Sequence, residues 1–256
     1  MTTGNIHSIE TMGLVDGPGI RTVIFLKGCP LKCTYCHNPD TQNCGGGKEY
    51  TVEELIKFVK RYKKYYDTSG GGVTFSGGEP LLQGTFLIEA MGALKAEGIH
   101  VAVDTSGYGD ESYYKEILSL ADMLLLDIKH YDDIAHKKLV GKSMRGIHQF
   151  MSALDYFKGH IWVRHVMVPG LTDSKESMDF LFRHIEKISK MIEKIEVLPY
   201  HKLGVEKYHQ LGIQDPMSHI PEMDKEKASY LEAYLRDLLE NAKDRNERET
   251  HRKSAV

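Results

Sequence analysis

The chain has 256 residues and a formal net charge of −3, with 41% hydrophobic and 27% charged residues. This composition is ordinary for a folded globular protein and excludes a disordered chain. It gives no broad positive field, so neither nucleic acid nor an anionic membrane is an expected partner. The N-terminus lacks a basic and then apolar leader, and no segment approaches the roughly eighteen apolar residues of a membrane span. We therefore expect a cytoplasmic protein.

Short apolar, β-branched runs predict buried strands, and amphipathic helical patterns alternate with them. The runs are Thr22–Leu26, Val73–Phe75, His100–Val103, Met123–Leu126, Ile161–Val166 and Lys194–Val197. Strands that alternate with helices predict right-handed βαβ units and a parallel sheet. Six such units are two short of an eightfold barrel, so the expected α/β fold is a partial (βα)6 barrel with its active site at the C-terminal strand ends. Ile6–Glu10 is a candidate for one further strand.

The helical segments also carry recognisable end signals. Thr51-Val52-Glu53-Glu54 fits a capping box, and Gly98 is placed to end the helix that contains Phe86 and Leu94. Further helices are expected at Glu111–Ala121, Arg145–Phe157, Ser174–Met191 and Asp224–Ala242. The polar, aperiodic stretch 244–256 predicts a mobile charged tail, which leaves 1–243 as a single domain.

Three of the four cysteines form the spacing C-x3-C-x2-C directly after the first predicted strand: Cys29, Cys33 and Cys36. Clustered cysteines in a chain of this kind more often hold a metal than form disulfides. Three thiolates suit a four-iron cubane cluster and leave one iron open for a ligand that is not protein, which makes the site catalytic. The alternative is a structural zinc site, with Cys44 or His37 as fourth ligand. Cys44 is otherwise interpreted as an ordinary loop thiol.

Polar residues lie at the ends of the later predicted strands as well. They are Ser76-Gly77-Gly78-Glu79-Pro80, Asp104-Thr105-Ser106-Gly107, Asp127-Ile128-Lys129, Arg164 and His201. Taken singly, these are also typical of a strand-to-helix turn, a solvated Asp–Lys pair or a structural histidine. Their shared position at the carboxyl ends of parallel strands predicts one active site.

The cysteine spacing, with the aromatic Tyr35 before the last cysteine, resembles the signature of the radical S-adenosylmethionine superfamily. Gly78 and Glu79 resemble its GGE motif, which meets the amino group of the methionine moiety. The resemblance implies a [4Fe–4S] cluster on the three cysteines and reductive cleavage of S-adenosylmethionine. The 5′-deoxyadenosyl radical that results would then take a hydrogen atom from the substrate.

Within the superfamily, Asp16–Thr22, Cys36–Pro39 and Gly46–Glu49 resemble the activating enzymes of glycyl-radical enzymes, over a stretch from Ile6 to about Gly212. Many of these activases insert a ferredoxin-like domain with further cysteine clusters, whereas this chain has only Cys44 to spare. The short form resembles the activases of pyruvate formate-lyase, so the glycine loop of that enzyme is the expected substrate. Flavodoxin or ferredoxin is the implied electron donor, and we expect a monomer. The alternatives are another glycyl-radical partner or, in a different class, a non-catalytic zinc-binding interaction module.

The resemblance also implies residue roles, with no catalytic side chain beyond the cluster and S-adenosylmethionine themselves. The residues expected to bind S-adenosylmethionine are Tyr35, Cys36, His37, Gly78, Glu79, Asp104, Asp127, Lys129 and His201. Asp104, Thr105 and Asp127 match a family site for a monovalent cation. Asp16 and Arg21 lie in the loop that would meet the substrate peptide.

Overall fold

A computed structural model describes residues 2–254, and eight strands within them form one open sheet. The strands are β1 Thr3–Gly13, β2 Arg21–Leu26, β3 Lys48–Thr51, β4 Gly72–Gly77, β5 His100–Thr105, β6 Met123–Asp127, β7 His160–Met167 and β8 Ile192–Pro199. Their order across the sheet is β3-β1-β2-β4-β5-β6-β7-β8. Strands β2 and β4 to β8 are those predicted from the sequence, and they pair in parallel. The partial barrel prediction is therefore confirmed.

The sheet is extended at one edge by two strands that run antiparallel to their neighbours. The candidate strand at Ile6–Glu10 is confirmed as part of β1, which pairs with β2. The other strand, β3, was not predicted from the sequence. Its segment Lys48-Glu49-Tyr50-Thr51 is short and polar, and none of its residues is fully buried. It forms only through its pairing with β1, a long-range contact that local sequence patterns do not report.

Helices cover the outer face of the sheet. They are α1 Val52–Val59, α2 Lys63–Ser69, α3 Gly84–Ala96, α4 Tyr114–Leu120, α5 Asp133–Val140, α6 Arg145–Ser152, α7 Lys175–Ile185, α8 Val205–Gln210 and α9 Lys225–Ser254. The capping box is confirmed, since Thr51 accepts from the Glu54 N–H and Glu54 accepts from the Thr51 N–H. Gly98 follows α3 with a left-handed φ of 67°, as its position predicts. None of the helices within residues 2–254 is both long and apolar enough to cross a bilayer.

Helix α9 extends into the segment predicted as a tail. Helix α9 continues without a break after residue 243 and reaches Ser254. Polar contacts hold this extension: Lys243 donates to the Ile192 carbonyl over 2.6 Å, and Arg245 pairs with Glu186 at 3.3 Å. Because these contacts are polar, the apolar periodicity that predicts a helix stops before the helix does. Residues 255–256 lie outside the described residues.

The inner face of the sheet changes character along the strands. Alternate strand residues share one face, and nearer the amino ends that face carries a small apolar cluster. The cluster comprises Ala102, Met123, Leu125 and Trp162. Two residues further along the same strands lie Asp104, Asp127 and Arg164. The barrel is thus apolar at one end and charged at the C-terminal end, where the site forms.

Candidate active site

An open cavity lies at the C-terminal ends of the parallel strands. The predicted site residues on its wall are Cys29, Cys33, Tyr35, Cys36, His37, Gly78, Asp104, Thr105, Asp127 and Lys129. They come from the last residues of β5 and β6 and from the segments that follow β2, β4 and β6, and the structure brings them together as the positions of the motifs predict. Asp16, Arg21, Glu79 and His201 are not on this wall.

The cysteine loop is held by a backbone hydrogen bond to a neighbouring segment and by another within the loop itself. The Cys29 N–H donates to the Gln42 carbonyl over 3.1 Å, and the Cys36 N–H closes a turn on the Cys33 carbonyl over 3.2 Å. The three thiols are unpaired and face the cavity. Cys44 is also unpaired, but it is exposed and is not part of the cavity wall.

The chemistry of these thiols fits a metal cluster. Burial raises the pKa of Cys29 to about 12, and burial likewise raises the pKa of Cys33 to about 12. A coordinated metal supplies the positive charge that stabilises the thiolate and reverses this effect. Among the side chains that the structure describes, no three from Cys, His, Asp or Glu are placed to hold one metal ion. A cubane cluster needs no such convergence, because each of its cysteines binds a different iron.

The Gly77–Gly78 turn packs directly on the backbone that precedes the cysteines. A Cβ atom on Gly78 would lie 2.1 Å from the Gly28 carbonyl oxygen, so only glycine fits. Gly77 has a φ of 106°, which other residues rarely adopt. The Glu79 N–H donates to the same Gly28 carbonyl over 2.8 Å. This close approach brings the end of β4 against the cysteine loop.

The side chain of Glu79 is not on the cavity wall, although Gly78 beside it is. The side chain is fully buried, and its carboxylate accepts from the Thr105 hydroxyl at 2.6 Å. It also accepts from the Ser106 N–H and hydroxyl at 2.9 and 2.6 Å and from the Leu81 N–H at 3.2 Å. Burial raises the pKa of Glu79, and these four hydrogen bonds oppose that rise. Its role in the structure is to fix the segment after β5.

Arg164 is the centre of a group of carboxylates on the cavity side of the sheet. Its Nε donates to Glu196 over 3.0 Å, and its Nη1 lies 3.5 Å from Asp104 and 3.9 Å from Asp16. Burial lowers the pKa of Arg164, but the carboxylates, Asp104 first, raise it above its ordinary value. Arg164 therefore stays charged and ties the ends of β5, β7 and β8 to the loop that holds Asp16.

Asp104 has one engaged and one free carboxylate oxygen. Oδ2 accepts from the Ser76 hydroxyl over 2.7 Å. Oδ1 is buried and has no hydrogen-bond partner among residues 2–254. Burial raises the pKa of Asp104 to about 6, against the opposing effect of Arg164. Buried acceptors are rarely left unpaired, so Oδ1 is suited to a ligand in the cavity.

Asp127 and Lys129 form an ion pair on the cavity wall. The Lys129 Nζ lies 2.6 Å from Asp127 Oδ2 and 6.0 Å from the centre of the Tyr35 ring. Burial lowers the pKa of Lys129, but Asp127 raises it well above its ordinary value, so the ammonium keeps its charge. The hydroxyl of Tyr35 is buried without a hydrogen-bond partner among the described residues.

His201 lies next to the cavity through its contact with His37. The two rings stack with centroids 4.2 Å apart and planes 18° from parallel. The His37 Nε2 lies 3.2 Å from the His201 carbonyl oxygen, to which it donates. Burial first, and His201 second, lower the pKa of His37, so His37 is neutral at pH 7. The pair presents flat ring surfaces beside the cysteine loop.

The two residues predicted to meet a substrate peptide lie in different surroundings. Asp16 is in the loop between β1 and β2, and Arg21 is the first residue of β2. Asp16 lies near Arg164, whereas the side chain of Arg21 is completely buried. Arg21 donates to the Thr74 hydroxyl at 2.6 Å and to the carbonyls of Pro18 and Val73 at 3.2 and 2.7 Å. Arg21 therefore ties the loop at Pro18 to strand β4.

Comparison with known proteins identifies the family. The sequence model of the radical SAM superfamily matches residues 23–181. A pyruvate formate-lyase-activating enzyme from Clostridium pasteurianum is 55% identical over 240 residues, which cover 94% of this chain and 100% of the relative. The enzyme of the same name from Staphylococcus epidermidis is 44% identical and covers 91% of this chain and 95% of its own length. The chain belongs to the radical SAM superfamily, in the family of the pyruvate formate-lyase-activating enzymes.

Membership in this family settles the two alternatives for the cysteines. Radical SAM enzymes carry a [4Fe–4S] cluster and use S-adenosylmethionine, so the zinc-binding interaction module predicted as the alternative is wrong. The fold agrees: a radical SAM methyltransferase from Sphaerobacter thermophilus superposes with a TM-score of 0.58 over 92% of this chain and 75% of its own, at 15% identity.

The cavity wall also carries residues to which the sequence assigned no binding role. Ser76, Gly77, Ser106 and Arg164 belong to the strand-end motifs predicted to form one site, whereas Leu31, Asn38, Thr41, Gln42, Val166 and Leu198 were not predicted there. Arg164 had a sequence signal, because a charge inside a predicted strand implies a polar cavity or a partner. Ser76 had a weaker one, since it lies directly before the GGE motif. Val166 and Leu198 look like ordinary strand residues, and only the three-dimensional arrangement places them here.

The role of Glu79 is testable in the cofactor-free protein. We expect Glu79→Gln to lower the free energy of unfolding by about 2–3 kcal/mol, because an amide cannot accept all the hydrogen bonds that the carboxylate accepts. Urea denaturation measures this change. Glu97→Gln is the control, since Glu97 forms an exposed pair with Lys60 and should change stability by less than about 1 kcal/mol. An unchanged stability of the Glu79 variant would mean that the carboxylate serves the cofactors alone.

Proposed function

We propose that this chain activates pyruvate formate-lyase by generating a glycyl radical on it. The observation that carries the proposal is the meeting of three unpaired thiols, the Gly77–Gly78 turn and the Asp127–Lys129 pair around one cavity. The printed name of the relatives from Clostridium and Staphylococcus supports the choice of partner. Another glycyl-radical enzyme remains the alternative partner.

Cys29, Cys33 and Cys36 would hold the [4Fe–4S] cluster. When bound, the cluster and S-adenosylmethionine supply a one-electron cleavage of the carbon–sulfur bond and the carbon radical that takes hydrogen from glycine. The chain itself orients these groups and keeps water from the radical. Burial of the thiols supports this role, since they lie in the low-dielectric wall beneath the cavity.

The remaining wall residues match the parts of S-adenosylmethionine by charge and shape. The ammonium of Lys129 suits the carboxylate of the methionine moiety, and the backbone at Gly78 suits its amino group. The flat surfaces of Tyr35 and of the His37–His201 stack suit the adenine ring. Asp127 fixes Lys129 and offers a second oxygen to a ribose hydroxyl or a cation.

A monovalent cation fits beside this site. Asp104 Oδ1 is a buried oxygen without a hydrogen-bond partner among residues 2–254, which supports a positively charged ligand at that point. Asp127 and Thr105 line the same cavity. The Thr105 hydroxyl donates to Glu79 and accepts from the Gly107 N–H, and one lone pair remains for a cation.

The substrate loop would enter past Asp16. Leu14 and Val15, which precede it, are 72% and 73% exposed, an unusual display of large apolar side chains beside a cavity. The Val15 carbonyl accepts from Arg164, so the exposed segment is connected to the charged wall. This arrangement supports a role for Asp16 and its neighbours in meeting the glycine loop.

We also propose that a flavodoxin or a ferredoxin supplies the electron and that the chain acts as a monomer in the cytoplasm. The clustered thiols support the location, because free cysteines persist in a reducing compartment.

The partner is tested by electron paramagnetic resonance. Reduced, cluster-loaded protein mixed without oxygen with S-adenosylmethionine and pyruvate formate-lyase should produce a glycyl radical signal that requires all components. Substituting alanine for the target glycine of the partner should remove the signal. Cleavage of S-adenosylmethionine without any radical on pyruvate formate-lyase would exclude this partner and leave the family membership intact.

The ligand set is tested by substitution. We expect Cys29→Ala, Cys33→Ala and Cys36→Ala each to abolish reductive cleavage of S-adenosylmethionine, because each removes one thiolate from the cluster. Iron content per chain should fall with activity. Cys44→Ala is the matched control, since Cys44 is not part of the cavity wall. Its cleavage activity and its iron content should each stay within about twofold of the values for the unmodified protein. Loss of activity in the Cys44 variant would contradict the assignment.

A further inference from the structure

Four lysines surround the point where the cysteine loop meets the end of α5. This lysine patch consists of Lys32, Lys137, Lys138 and Lys142, all exposed. None of the four ammonium groups forms a hydrogen bond or an ion pair with the residues described, 2–254. The chain as a whole carries a formal net charge of −3, so the patch is a local concentration of positive charge rather than a general property.

The patch is connected to the cluster-binding loop by backbone hydrogen bonds on both sides of Cys33. The Lys32 N–H donates to the Val140 carbonyl over 2.8 Å, and the Thr34 N–H donates to the Leu139 carbonyl over 2.9 Å. Lys32 Cβ also lies 3.5 Å from the position that a Cβ on Gly141 would occupy. The end of α5 is therefore in direct contact with the residues that flank one of the cysteines.

The surface that carries the lysines is fixed before any partner binds. Gly141 ends α5 in the left-handed conformation, with its N–H donated to the Lys137 carbonyl. The buried His136 ring holds the Lys142 carbonyl at 2.7 Å, and the Tyr108 hydroxyl donates to the Ser143 carbonyl over 2.8 Å. A partner that docks here orders little backbone, which lowers the free-energy cost of association.

Helix stability explains only part of the patch. Lysines in a last helical turn complement the helix dipole, which accounts for Lys137 and Lys138. Lys32 and Lys142 lie outside the helix and gain nothing from it. The acids at the start of α5 are engaged elsewhere, since Asp132 caps the Ala135 N–H and Asp133 accepts from the Met144 N–H. Unpaired like charges repel each other, so a partner of opposite charge gains by covering them.

We propose that the lysine patch is the docking surface for the acidic one-electron donor protein that reduces the cluster. This inference rests on the proposed function, because it requires a cluster on Cys29, Cys33 and Cys36. One electron leaves the reduced donor and enters the cluster, and no atom is transferred. Docking at the patch brings the donor to the backbone next to Cys33 and leaves the cavity mouth free for the glycine substrate.

The test compares two variants of equal charge change. In the first, all four lysines of the patch are replaced (Lys32→Glu, Lys137→Glu, Lys138→Glu and Lys142→Glu). The control replaces four exposed lysines elsewhere (Lys57→Glu, Lys64→Glu, Lys187→Glu and Lys190→Glu). The partner is a purified flavodoxin of net negative charge. Three quantities are measured: the Kd for oxidised flavodoxin, the flavodoxin KM in S-adenosylmethionine cleavage, and the cleavage rate with photoreduced deazaflavin as a small-molecule reductant.

We expect the patch variant to raise the Kd and the flavodoxin KM by at least about tenfold, while the control changes each less than about threefold. The Kd of the unmodified protein should rise with salt, and that of the patch variant should not. Cleavage with deazaflavin should stay within about twofold in both variants, which shows that fold and cluster are intact. If the patch variant does not fold, the pair Lys32→Ala and Lys142→Ala should still raise the Kd about threefold.

Equal flavodoxin affinities in the patch and control variants would overturn the docking proposal. So would equal losses of cleavage with flavodoxin and with deazaflavin, because these would place the effect on the cluster instead of the donor. Failure of the unmodified protein to cleave S-adenosylmethionine with deazaflavin would contradict the proposed function itself, and the binding measurement keeps that outcome separate.

Discussion

Glu79 connects the cysteine loop to the end of β5 through its backbone and its buried carboxylate. Its backbone N–H donates to the carbonyl of Gly28, the residue before Cys29, and its side chain accepts from Thr105 and Ser106 at the end of β5. The absence of a Cβ on Gly78 permits this contact. A carboxylate inside a protein is costly unless it is fully hydrogen-bonded, and here it is. Glu79 thus holds the cysteine loop, the glycine turn and the end of β5 against one another.

The inner face of the sheet carries two cations among its carboxylates. Arg164 lies among Asp16, Asp104 and Glu196, and Lys129 pairs with Asp127. Burial raises the pKa of Asp104 and of Asp16, and the nearby Arg164 guanidinium opposes both shifts. Burial meanwhile disfavours the thiolate form of Cys29 and of Cys33. The protein therefore offers a preorganised polar wall beside thiols that need a cationic metal centre to ionise.

Local sequence patterns predicted the parallel strands and the gathering of motifs at their carboxyl ends, because alternation of apolar runs and helices determines both. They could not distinguish a residue that lines the cavity from one that supports it. Glu79 and Arg21 carry chemically suggestive side chains within motifs, yet both are buried and act on neighbouring loops. The strand β3 and the extension of α9 depend on pairing and polar contacts with distant residues. Such contacts leave no periodic signal in the sequence.

The central claim is that only three cysteines bind the cluster, so one of its four irons is open to S-adenosylmethionine. Mössbauer spectroscopy of protein loaded with iron-57 tests this claim directly. Addition of S-adenosylmethionine should change the signal of about one quarter of the cluster iron and leave the rest as it was. An unchanged spectrum would contradict the account, because it would mean that Cys44 or another protein ligand already occupies the fourth iron.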